Sequence, residues 1–145
     1  MADKPSPSGL AIVVCDQIIE DKLTNKKSLI GIFNNIASPS FPCRHPQLCV
    51  FVSITEGRGT YDARLRISNE ETGVAVAEVS GKIQFADVHA VVEVNFNLLG
   101  LEFQQPGLYS IEFYCDEALI LERRFHVVQV KQQQPPPKGP PPAEL

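Results

Sequence analysis

The stretch "CRHPQLC", residues 43–49, gathers the side chains best suited to chemistry: Cys43, His45 and Cys49. Thiolate and imidazole are ligands that zinc favours, and a structural zinc site needs about four of them in a tetrahedron. Such sites usually use close Cys-x-x-Cys pairs, and this stretch has none. A fourth ligand would have to come from Cys15, His89, Cys115 or His126. Cys49 also lies in an apolar run, where a free cysteine behaves as a small hydrophobe. The three residues are therefore weak metal candidates, and no metal is assigned.

Thiol or serine catalysis needs a nucleophile and a base within hydrogen-bond reach. His126 falls in the last strand and His89 at a loop edge, and no G-x-S-x-G elbow is present. No catalytic residue is assigned, and the expectation is a protein that is not an enzyme. Gly31, in "SLIGIFNNI", is a lone glycine without Walker or G-x-G-x-x-G spacing, and "EGRG" at 56–59 reads as a turn between strands. No cofactor is expected. Glu70 with Glu71, and Asp116 with Glu117, lack the alternating ligand spacing of a calcium loop.

These residues must be held by strands. "TYDARLRISN" alternates, with Tyr61, Ala63, Leu65 and Ile67 on one face and Asp62, Arg64, Arg66 and Ser68 on the other. "VVEVNFNLLG" and "LYSIEFYC" do the same, and "LCVFVSIT" is apolar on both faces, as a central strand is. "ALILERRFHVVQV" loses its phase, which predicts a bulge near Arg123 and Arg124. "NEETG", "CDEA" and "QQPG" mark turns. In "PGLYSIEF" a turn glycine precedes Tyr109 near a strand start, as in the penultimate strand of immunoglobulin-like domains, where the phenol caps backbone. Residues 11–19 and 28–36 are predicted to form a hairpin with 20–27 as its loop, and Gly31 marks a bulge or a close approach. The fold class is all-β: an antiparallel sandwich of about seven or eight strands, immunoglobulin-like. The predicted domain spans residues 10–130. Residues 1–9 and the proline-rich 131–145 are expected to be disordered.

A chain of 145 residues buries enough surface for one domain. Its net charge of −4 argues against a nucleic-acid partner, because such binding depends on clustered Lys and Arg. Arg64 and Arg66 share their face with Asp62, which reads as a solvated mixed face. No apolar run reaches the ~18–20 residues that cross a bilayer, so no membrane is expected. The apolar run before Cys15, "LAIVV", is shorter than the ~7–15 residues of a secretory signal. A cytoplasmic location and reduced thiols follow as expectations.

"VVCDQIIED", "SLIGIFNNI", "FP" at 41–42, "LCVFVSI" and "PGLYSIEFYCDEALI" together resemble an uncharacterised bacterial family of small all-β proteins, a domain of unknown function. The resemblance runs over residues 10–130. It implies a fold and a bacterial source, and it brings no activity and no site residues. The proline-rich tail lies outside the pattern.

The leading functional expectation is a non-enzymatic protein-binding or scaffolding module, with "PPPKGPPP" available to an aromatic groove on a partner. A carbohydrate- or small-ligand-binding sandwich is the alternative; it would use exposed aromatics, and the chain has no Trp and three Tyr. A zinc- or thiol-dependent enzyme built on Cys43, His45 and Cys49 is the third. Ligand-binding residues and oligomeric state stay open, although an edge strand at 10–19 could pair between subunits.

Overall fold

The computed structural model describes residues 4–131. They form nine strands: β1 Ser8–Glu20, β2 Lys27–Ile32, β3 Asn35–Ser38, β4 Cys43–Thr55, β5 Gly59–Asn69, β6 Ala75–Phe85, β7 Val91–Phe103, β8 Gly107–Cys115 and β9 Ala118–Gln129. One sheet has the order β2-β1-β4-β7 and the other β3-β9-β8-β5-β6. We call them sheet A and sheet B. They pack as a sandwich-like pair, because each has one apolar face to bury. Leu48, Val50, Val52 and Ile54 of β4 face Tyr61, Ala63, Leu65 and Ile67 of β5 and Ile111 and Phe113 of β8, all buried. The alternation read in those segments is the cause, since every second side chain points into the same layer.

At one end the core is aromatic. Phe103 meets Tyr109 edge-on at 5.1 Å and Phe125 edge-on at 5.9 Å between ring centroids. The Tyr109 hydroxyl donates to the Gln105 carbonyl at 2.7 Å, so the phenol fastens the β7–β8 turn to the strand that follows. The β8–β9 turn is two residues long, with Asp116 at φ +47° and Glu117 at φ +73°. Positive φ at both central positions matches the twist of the strands it joins.

Three expectations change. "SLIGIFNNI" is not one strand: β2 ends at Ile32, and β3 starts at Asn35 in the other sheet, parallel to β9. The count therefore rises to nine, and one pairing is parallel. The irregularity in β9 lies at Ile120, between the pairs Phe113–Leu121 and Tyr114–Leu119, and not at Arg123 and Arg124. Arg123 keeps the phase of Phe125 and Val127, and its guanidinium spans the sheets to the Ile12 carbonyl at 3.2 Å and Asn34 Oδ1 at 2.6 Å. A polar residue in an inward phase looks like a slip when only hydrophobicity is read. Lastly, residues 4–9 pack: Pro5 accepts from the Tyr61 hydroxyl at 2.7 Å, the Lys4 ammonium lies 4.6 Å from the centre of that ring, and Ser8 opens β1. Residues 1–3 and the proline-rich segment from 132 onward lie outside the described residues.

The β1–β2 hairpin does not extend straight from sheet A. Glu93 of β7 stands opposite Ser53, and Ser53 opposite Ala11. Lys27 pairs with Glu20 at the far end of β1. A straight run from Ala11 to Glu20 would span about 30 Å. Yet Lys27 Nζ lies 3.2 Å from Glu93 Oε1. The hairpin therefore turns back over the outer face of sheet A. The Cys49 thiol, 3.6 Å from the Asp16 carbonyl, sits beneath its base. This explains why β4 is apolar on both faces: one faces sheet B, the other the hairpin.

Candidate functional site

β4 separates the three weak metal candidates. Cys43 packs against the core, and the His45 ring lies 5.7 Å from Phe33. Cys49 points the other way, toward the hairpin, with Sγ 3.5 Å from Asn97 Oδ1. Strand alternation would have placed all three odd-numbered residues together. The buried phase shifts instead at Gly100, which has φ +63° and lies across from Pro46, between the pairs His45–Leu101 and Gln47–Leu99. Past Gly100 the inward phase of β7 changes from Phe96 and Leu98 to Leu101 and Phe103, all buried. β4 changes with it. Among the described residues no group of three His, Cys, Asp or Glu side chains is placed to hold a metal ion.

Gly100 also lines a cleft. It opens where the β5–β6 turn, β7 and the β7–β8 turn converge, at the seam between β6 and β7, which end their respective sheets. Its volume is about 510 Å³. Leu101 and Tyr109 lie buried at its base, while Leu99 is 70% exposed and Val74 60% exposed beside it. Glu102, Gln104 and Gln105 add polar atoms. Gly100 suits this position because its φ of +63° strains an L side chain. The exposed Arg44 guanidinium lies over it.

The opposite wall is held by hydrogen bonds within the β5–β6 turn. Asn69, buried, accepts the backbone N–H of Glu71 at 2.8 Å and of Thr72 at 3.0 Å through its side-chain oxygen. Gly73 N–H returns to the Asn69 carbonyl at 2.8 Å. Arg66 donates to the Gly73 carbonyl at 3.0 Å, and Arg124 binds Glu70 at 2.5 Å. A wall closed by its own hydrogen bonds loses little entropy when something binds.

The outer face of sheet B has a different character. Arg64 pairs with Glu78 at 3.0 Å, Lys82 with Asp62 at 2.7 Å, and Arg66 with Glu112 at 3.8 Å. The Arg64 guanidinium also covers the Tyr114 ring at 4.4 Å. The positive charges of this face are thus met by neighbouring carboxylates, as a solvated mixed face requires. Burial pushes the Cys115 thiol up to about 11, with the nearby Asp116 adding to it. Burial likewise raises the Cys15 thiol, followed by the influence of Cys49.

Sequence reading missed Leu99, Val74 and Asn69. One signal was present: Leu99 is apolar in a phase otherwise held by Glu93, Asn95 and Asn97. The other two gain meaning only from the meeting of distant turns.

Among the described residues no helix is long and apolar enough to cross a membrane. No curated protein matches the chain. A family of unknown function, DUF6941, matches residues 10–128, and the chain belongs to that family.

Proposed function

We propose that this DUF6941 member is a non-enzymatic protein-binding module that receives a segment of a partner protein at the β6–β7 cleft. One observation carries the reading: Leu99 and Val74, large apolar side chains at 70% and 60% exposure, flank a cavity of about 510 Å³. Its size is that of a ligand site, and exposed apolar side chains around a concavity mark interaction surfaces. Among the described residues β6 and β7 each end their sheet, and an extended segment can join such an edge by backbone hydrogen bonds.

The tyrosines favour a protein partner over a sugar. Tyr61 and Tyr109 are each 2% exposed, and Tyr114 lies under Arg64, so none offers a bare ring for stacking. The buried thiol of Cys115, pushed up to about 11, is a poor nucleophile, which supports the non-enzymatic part. An immunoglobulin-like character of the closing hairpins belongs to the same reading, supported by the Tyr109 hydroxyl bonded to the carbonyl of Gln105.

The test is affinity capture from the native host with the full chain, with Leu99→Asp, with Val74→Asp, and with a chain ending at residue 130. Both substituted positions are exposed, so the fold tolerates the change. A partner held by the full chain and by the truncated chain, but bound about tenfold or more weakly by either Asp variant, supports the cleft. Retention by both Asp variants, with loss on truncation, moves the activity to the tail and removes this proposal.

A further inference from the structure

We propose that Cys15 and Cys49 form a redox-modification site, a dithiol that closes to a cross-strand disulfide when a low-molecular-weight disulfide serves as oxidant. The two residues are direct partners in the antiparallel β1–β4 ladder. Opposed residues in such a ladder have Cα atoms about 4.5–5.5 Å apart and side chains on one face. A disulfide spans Cα separations of about 4.4–6.8 Å. No other cysteine has such a partner: Cys43 faces Phe103, and Cys115 faces Ala63 and Ala118.

The pair is set apart from the main core. Both residues are buried, at 0% and 3% exposure, on the side of sheet A that the hairpin covers. The Cys15 thiol points to the Gln17 carbonyl at 3.5 Å, and the Cys49 thiol is shared between the Asp16 carbonyl and Asn97 Oδ1. Those carbonyls belong to the segment where β1 bends into the hairpin. Lifting the hairpin uncovers the thiols, and the Lys27–Glu93 ion pair at its far end opposes lifting.

The chemistry balances. One protein thiolate attacks the small disulfide, forms a mixed disulfide and releases one small thiol. The second protein thiolate attacks the protein sulfur of that mixed disulfide and expels the second small thiol. The protein loses two protons and two electrons, and the small disulfide becomes two thiols. Cys49 then leaves Asp16 and Asn97, so closure re-anchors the base of the hairpin.

The experiment uses the full, pre-reduced chain and oxidised glutathione, read by intact mass and by peptide mapping without reduction. The expected product has lost two hydrogens and joins the peptides of Cys15 and Cys49. Cys49→Ser gives no internal crosslink. Glu93→Gln, which frees the hairpin, forms the same crosslink several-fold faster. The proposal is overturned if Cys15 and Cys49 remain free thiols in both the wild type and Glu93→Gln while Cys43 reacts. A persistent glutathione adduct on Cys15 or Cys49, or a crosslink to another cysteine, overturns it as well.

Discussion

Gly31 sits in β2 at φ +71°, and a Cβ there would press on the Asp16 carboxylate, 2.9 Å from its Cγ. Two physical demands meet at this residue. An L side chain is strained by about 1–2 kcal/mol in the left-handed region, and Asp16 leaves no room for one. Gly31→Ala is therefore expected to destabilise the fold by about 2 kcal/mol, read from the denaturant midpoint at unchanged slope. In an Asp16→Ala background the steric part disappears, and the penalty should fall to about 1 kcal/mol. An equal penalty in both backgrounds would show that Asp16 plays no part. The sequence already pointed to a bulge or close approach at Gly31; it could not show which side chain presses on it, because Asp16 reaches it only through the register of β1 and β2.

At the scale of elements, β7 and β8 form the aromatic end of the sandwich through Tyr109. The ring stacks on Phe125 at 5.8 Å and meets Phe103 edge-on, while the hydroxyl closes the β7–β8 turn. Tyr109→Phe keeps the packing and removes one hydrogen bond, leaving the Gln105 carbonyl short of a donor. We expect a loss of about 1–2 kcal/mol in chemical denaturation. Because Gln105 and Tyr109 both line the cleft, the variant should also weaken partner capture more than Tyr61→Phe does, since Tyr61 lies outside the cleft. Equal effects of the two variants on capture would separate the hydrogen bond from the site. The turn glycine before Tyr109 made this role legible. The bulge at Ile120 was not legible, because Arg123 interrupts the apolar phase while obeying the geometric one.

For the whole molecule, the four thiols report how the structure opens. Cys43 is partly exposed, and Cys15, Cys49 and Cys115 are buried. Alkylation of the native chain at pH 8, followed by mass mapping, should modify Cys43 first. Cys15 and Cys49 should follow together at the rate of hairpin opening. Cys115 should react last, only with global unfolding, because it sits between the sheets, where burial pushes its thiol up to about 11. Its thiolate fraction at pH 8 is on the order of one in a thousand. Early labelling of Cys115 would mean that the sheets separate before the hairpin lifts.

The amino-acid order by itself determined most of the strands and their faces. Alternation in residues 60–69, 91–98 and 108–115 is a local property, and the buried face follows from hydrophobicity alone. It also determined the turns, since glycine, proline and asparagine impose backbone angles wherever they stand. Only the tertiary structure decided how those strands were used. It divided "SLIGIFNNI" between two sheets, folded the β1–β2 hairpin over β4, turned Cys49 away from Cys43 and His45, and brought Val74 and Leu99 to one cleft. Each of these depends on contacts between residues far apart in the chain. Their free energy comes from burial and pairing across the sheets, which no local spacing records.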